Sequence, residues 1–282
     1  MRWSASGRSQ NLEDRRGGGG GGMIPGGIGG LGIGGVVLVV IFSLITKQNP
    51  LAVIGALDGG TAAPGVEAPI TDPAEEEKVL FIGAALDSTQ ALWARLLPTM
   101  GAEYRDAKLV LFRDRTTSPC GAAQSATGPF YCPGDEKVYI DLGFYQELAT
   151  RFGAPGDFAE VYVLAHEIGH HVQKLLGTEE AMRRAQEQRP DQANALSVKL
   201  ELQADCYAGV WAHTAAQQGR LERGDVEEGL GAASAVGDDR IQRMGGGSVN
   251  QESWTHGSSE QRMTWFKRGF ESGDPKMCET FR

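Results

Sequence analysis

No charged residue falls between Arg16 and Lys47, and within that gap Ile28 to Thr46 (IGGLGIGGVVLVVIFSLIT) has only Ser43 and Thr46 as polar side chains. A helix rises about 1.5 Å per residue, so this stretch reaches roughly 28 Å, close to the hydrocarbon thickness of a bilayer. Thirteen of the 40 glycines lie between Gly17 and Gly35. They weaken the segment as a soluble helix, but membrane helices tolerate glycine better. The reading is a single transmembrane helix over residues 28–46. A cleaved signal peptide built on Val36 to Ile45 and a glycine-rich tail are the alternatives that the residues leave open. The 282 residues then divide into an N-terminal segment (1–27), the span (28–46), a Pro/Ala/Gly-rich linker (47–77) and one domain (78–282).

Basic residues set the expected orientation. Arg2, Arg8, Arg15 and Arg16 precede the span, opposed by Glu13 and Asp14, whereas Lys47 is followed by nothing basic until Lys78. The positive-inside rule leaves the N-terminus cytoplasmic and the domain periplasmic or extracellular, on an inner or plasma membrane. The chain carries −9 overall, and the part beyond the span is more acidic still. That balance argues against a nucleic-acid partner, since such binding draws on basic surface to release counterions.

Beyond the linker, acidic residues at Glu75 to Glu77 suit a first helical turn, and Pro98 ends a second helix that Ser88 opens. Lys108–Phe112 (KLVLF) and Lys137–Asp141 (KVYID) have the β-branched and aromatic character of strands. The loop between them, rich in Gly, Ser, Thr and Pro, holds Cys120 and Cys132, which in an oxidising compartment suit a disulfide. Cys206 and Cys278 are then a second pair or free thiols; four cysteines allow three pairings and spacing does not choose. From Gly143 onward the pattern is helical almost to the end. The fold class is α+β, helix-dominated.

Phe158 to Leu176 (FAEVYVLAHEIGHHVQKLL) repeats apolar residues at spacings of three and four, the mark of an amphipathic helix. Within it His166 and His170 lie four apart, so both imidazoles project from one face and suit one zinc ion. Glu167, one position on, is placed to act as general base on an attacking water. A second periodic helix, Leu196 to Ala216, holds Glu201 and Asp205 on one face. The E-x-x-x-D pattern makes Glu201 the third zinc ligand and Asp205 the acceptor of a ligand histidine's ring N–H. His171 points about 100° away from His170, and His213 lies about 120° round the helix from Glu201; both are read as structural. His256 precedes a helix that Ser258 caps with Gln261, and a loop histidine there could stabilise an oxyanion or be merely structural.

These stretches together resemble the bacterial putative neutral zinc metallopeptidase family, whose members carry a single membrane anchor. The matching segments are MRW with NLEDRR, the glycine-rich apolar stretch, SPCGAAQSATGPFYCPGDEKVYIDLGFY, AHEIGHHVQ, ELQADCYAGVW and THGSSEQRMTWFKRGFESGD. The resemblance implies zinc bound by His166, His170 and Glu201, with Glu167 catalytic, and it supplies no substrate. The expectation is a membrane-anchored zinc endopeptidase with a gluzincin-like domain, a protein or peptide as substrate, and Val138 to Ile140 as an edge strand aligning it. The rival is a zinc-containing binding or scaffolding protein on the same anchor. Oligomeric state is not readable from the residues.

Overall fold

The two β-rich segments are apolar at nearly every position, and a strand of that kind is stable only with both faces covered. The computed structural model describes residues 1–4, 7–17, 72–124, 128–246 and 248–281, and it supplies both covers. In chain order the elements are β1 (Leu12–Asp14), α1 (Pro73–Leu96), β2 (Lys108–Phe112), β3 (Arg115–Ser118), β4 (Gly121–Gln124), β5 (Phe130–Cys132), β6 (Lys137–Asp141) and α2 (Leu142–Thr150). There follow α3 (Asp157–Leu175), α4 (Thr178–Gln188), α5 (Ala193–Gln217), α6 (Asp225–Ala235), α7 (Asp238–Met244) and α8 (Ser259–Ser272). The main sheet has the order β1-β2-β6-β5, with β1, β2 and β6 parallel and β5 antiparallel to β6. Leu109, Leu111, Val138 and Ile140 face the helical core. Their neighbours Val110, Phe112 and Tyr139 turn the other way, under the small layer formed by the β3–β4 hairpin. Helices dominate an α+β arrangement, as expected.

Helix α1 runs unbroken through the point where the sequence suggests a new start at Ser88. The side chains that could have capped a second helix are engaged elsewhere. Ser88 Oγ accepts from Trp211 Nε1 (3.3 Å) and Arg220 Nη1 (2.9 Å), and Asp87 accepts from Ser9 Oγ (2.6 Å). Tertiary partners outbid the local cap. Helix α1 also begins at Pro73, capped by Asp72, so the linker cannot extend to residue 77.

The larger correction concerns the N-terminal segment. Residues 12–14 are hydrogen-bonded into the sheet beside β2, with Leu12 paired to Leu109 and Asp14 to Leu111. Arg16, its side chain fully buried, pairs with Asp14 at 2.7 Å, Glu75 at 3.4 Å and Glu76 at 3.5 Å. Lys137 reaches Glu13 at 2.6 Å. The basic residues that suggested a cytoplasmic tail are thus ion-pair partners of the domain itself. β1 is the outer strand of the same sheet that holds β2 and β6, so the domain takes in part of the segment assigned to residues 1–27. The expected transmembrane helix, residues 28–46, lies outside the described residues. Among those described, no helix is long and apolar enough to cross a membrane.

Two further features place the site. Both disulfides are present: Cys120–Cys132 closes the β3–β5 excursion, and Cys206–Cys278 ties α5 to the three-ten turn Pro275–Cys278. Helices α5 and α8 meet backbone to backbone: a Cβ on Gly269 would lie 1.9 Å from the Cys206 carbonyl oxygen, and one on Gly209 2.1 Å from that of Phe266. Gly269→Ala is therefore expected to pry α8 from α5 and lower unfolding stability by about 1–3 kcal/mol, measured by urea denaturation. An unchanged midpoint would show that the helices separate freely.

Candidate metal centre

Helix α3 presents a row at four-residue spacing, Phe158, Tyr162, His166 and His170, along one side. Helix α5 packs against that side at Gly169, where a Cβ would be only 3.1 Å from the Ala204 backbone. The missing side chain lets α5 approach closely, and Glu201 and Asp205, one turn apart and flanking Ala204, reach the imidazoles. His166 Nε2 lies 3.1 Å from Glu201 Oε2 and 3.2 Å from His170 Nε2, and His170 Nε2 lies 3.6 Å from Glu201 Oε1. The structure thus brings His166, His170 and Glu201 together, each offering an atom within 4.8 Å of the others.

The remaining ring nitrogens are engaged. His166 Nδ1 donates to Asp205 Oδ1 at 2.8 Å, and His170 Nδ1 to Gln173 Oε1 at 2.9 Å. With Nδ1 carrying the proton in each neutral ring, both Nε2 lone pairs and a carboxylate oxygen face one point. That is a repulsive arrangement unless a cation stands between them. Zinc with bonds of about 2.0–2.1 Å in a tetrahedron has ligand edges of roughly 3.3–3.4 Å, so the donor set fits. Electrostatics agree. Burial opposes charge on His170, but Glu201 outweighs it and lifts its pKa to about 10, so without a metal ion this ring holds the proton that zinc would displace. Burial would raise Glu201, yet His170 and His256 hold it well below the usual carboxylate range. The cluster draws positive charge toward itself.

Asp205 is fully buried and heavily committed. Its Oδ1 accepts from Tyr162 Oη (2.5 Å), His166 Nδ1 and Arg262 Nη2 (2.8 Å), and its Oδ2 accepts from Arg262 Nε (2.8 Å). Burial alone would raise its pKa; Arg262 and His166 overcome that and bring it to about 2. Glu167 stands in contrast. It is buried, yet its carboxylate has no hydrogen bond or ion pair among the described residues.

His256 is brought to the same site by α7. Asp238 Oδ2 accepts the backbone N–H groups of Thr255 (2.8 Å), His256 (2.7 Å) and Gly257 (3.0 Å), while its Oδ1 lies 3.2 Å from His256 Nδ1. The expected capping box, Ser258 with Gln261, opens α8. Burial lowers the His256 pKa, but the nearby charges of Glu201 and Asp238 raise it overall. His171 and His213 lie off the site: His171 is held by Tyr131 Oη and the Arg105 carbonyl, His213 by the Phe270 carbonyl. A second carboxylate group, Asp157, Asp225 and Glu228, contains no histidine, and the Met1 amino group sits 2.6 Å from Asp157.

Sequence reasoning passed over Tyr162, Gln173, Gln203, Asp238 and Arg262. Two had a signal. Tyr162 is one turn before His166 in the same row, and Arg262 occupies the buried stripe of α8 with Phe266 and Gly269. A cation on an apolar stripe implies a buried anion. Asp238, one of several acidic residues opening short helices, had none.

The chain belongs to the family described as "Putative neutral zinc metallopeptidase", whose model matches residues 1–281. It is 46% identical over 289 residues to a protein of Escherichia coli K12 named "Uncharacterized protein YpfJ", covering 100% of this chain and 99% of that one. It is also 46% identical over 206 residues to "Uncharacterized protein Rv2575" of Mycobacterium tuberculosis, covering 69% of this chain and 68% of that relative. No solved structure matches.

Proposed function

We propose that the protein is a zinc-dependent endopeptidase of gluzincin type, with His166, His170 and Glu201 as ligands and Glu167 as general base. The observation that carries this reading is the pairing of three convergent donors with one uncommitted buried carboxylate. A purely structural zinc site closes its fourth position with a protein ligand, and none is supplied here among the described residues. Zinc held there supplies a Lewis acid that polarises the scissile carbonyl and lowers the pKa of water. Glu167 takes the proton of the attacking water and returns it to the leaving amine. Asp205 keeps His166 in the tautomer whose Nε2 faces the metal. His256, held by Asp238 at its Nδ1 and close enough to Glu201 to feel its charge, is the donor assigned to the oxyanion.

The substrate strand is reassigned. Val138–Ile140 belongs to β6, which lies inside the sheet between β2 and β5, so it has no free edge. Among the described residues β5 is the sheet edge nearest α3, fastened there by Tyr131 Oη to His171 Nδ1 at 2.9 Å. We assign the alignment of an extended peptide to β5.

The two disulfides favour an oxidising compartment outside the cytoplasm for the domain, and residues 1–17 share it. Membrane association is proposed on residues 28–46 alone. The test uses the full chain in detergent, because a start at residue 78 would delete β1. Zinc content is measured and cleavage of unfolded protein substrates is compared with Glu167→Gln. One zinc per chain with cleavage lost in the variant is expected. One zinc without cleavage by either protein would favour the binding-protein reading.

A further inference from the structure

The two zinc histidines are held by different chemistry. His166 leans on a carboxylate, whereas His170 leans on a neutral amide, Gln173, which is completely buried. An amide can face a ring nitrogen with either end, and only its other contacts decide which. Gln173 Nε2 donates to the Leu200 carbonyl at 2.7 Å and to Gln203 Oε1 at 3.1 Å. Gln203 Nε2 in turn donates to the Cys278 carbonyl at 3.0 Å. A backbone carbonyl only accepts, so the Leu200 carbonyl and Gln203 Oε1 together turn the Gln173 amide, and the Cys278 carbonyl turns that of Gln203. The nitrogen ends of both glutamines point outward, and both oxygen ends point toward the site. His170 Nδ1 must therefore carry the proton, which leaves the lone pair on Nε2, beside His166 and Glu201.

We propose that Gln173 and Gln203 are positioning residues for the zinc ligand His170, forming a one-way hydrogen-bond relay anchored on the Cys278 carbonyl. The C-terminal turn, which the Cys206–Cys278 disulfide fastens to α5, is thereby part of the metal centre's support. This rests on zinc binding by His166, His170 and Glu201. The relay reaches 108 positions along the chain, from His170 to Cys278, without involving Asp205, so the two histidines are supported independently.

The test measures zinc dissociation constants by chelator competition on the full chain in detergent, with thermal midpoints recorded beside them. Gln173→Met is expected to weaken zinc about 10–100-fold, the range for loss of a ligand's hydrogen-bond partner, and Gln203→Met by a smaller factor, several-fold to about 10-fold. In a relay the second effect passes through the first, so Gln203→Met should add nothing in a Gln173→Met background. Thr280→Val is the control. It removes the bond from Thr280 Oγ1 to the Lys199 carbonyl (2.7 Å), loosening the same C-terminal segment outside the relay, and should leave zinc binding within about twofold. Should Gln203→Met not fold, Gln203→Ala, which removes the same two bonds without a longer apolar side chain, carries the same expectation. Wild-type zinc affinity in both glutamine variants, additive effects, or equal losses in Thr280→Val would overturn the relay. A wild-type chain that binds no zinc would overturn the metal reading and the relay together.

Discussion

Glu167→Gln is expected to lower kcat for peptide cleavage by roughly 10²–10⁴-fold, the usual contribution of a positioned general base, while zinc stays at one per chain. The amide keeps the shape of the carboxylate but cannot take a proton. Glu167 makes no hydrogen bond or ion pair among the described residues, so its replacement should disturb no structural network. The loss should accordingly appear in kcat with the thermal midpoint unchanged. His166→Ala, in contrast, should lose both metal and activity. Cleavage that persists in a zinc-loaded Glu167→Gln protein at near wild-type rate would end the proposed mechanism.

Arg262→Met should be the most damaging single change to stability, at about 3–5 kcal/mol, because it strands a buried carboxylate. Asp205 is inaccessible to solvent, and Arg262 supplies two of its hydrogen bonds, both at 2.8 Å. Removing both charges together, with Asp205→Asn and Arg262→Met, should recover much of that loss, since two neutral groups of similar size replace an ion pair. Acid titration gives an independent sign. The folded pKa of Asp205, about 2, lies below its ordinary value of 3.8. Its contribution is thus complete above about pH 4 and fades as pH falls toward 2, and it should be on the order of 2 kcal/mol. Denaturation midpoints of metal-free protein followed from pH 5 to pH 2 should fall more steeply in the wild type than in Asp205→Asn. Parallel curves would show that Arg262 does not hold this charge.

The chemistry of the site was legible because it depends on spacing along single helices. His166 to His170 and Glu201 to Asp205 are each one helical turn, and one-turn spacings survive any tertiary arrangement. What joins the two pairs was not legible. Gly169 reads as a weak point in a helix until α5 is seen lying against it. Arg262, Asp238 and Gln203 act across distances of 18 to 75 residues, and no local pattern reports such partners. The unbroken α1 and the interior position of β6 have the same cause. Ser88 was chosen as a cap on local grounds and is used by Trp211 and Arg220, and KVYID reads alike at a sheet's edge or its middle. The apolar residues 28–46 bear on solvent rather than on packing. Their sequence spoke clearly about a bilayer and not at all about where the chain returns.

That return is set by β1. Residue 16 is ion-paired with residues 75 and 76, so the chain departs from the domain and rejoins it at one corner. The domain is therefore discontinuous, assembled from residues 1–17 and 72–281, with everything between them an insertion. A protease that nicks the insertion would leave two fragments clasped by a ladder of backbone bonds and a buried arginine, parting only under denaturant. A membrane crossed once would set the two ends of that clasp on opposite sides.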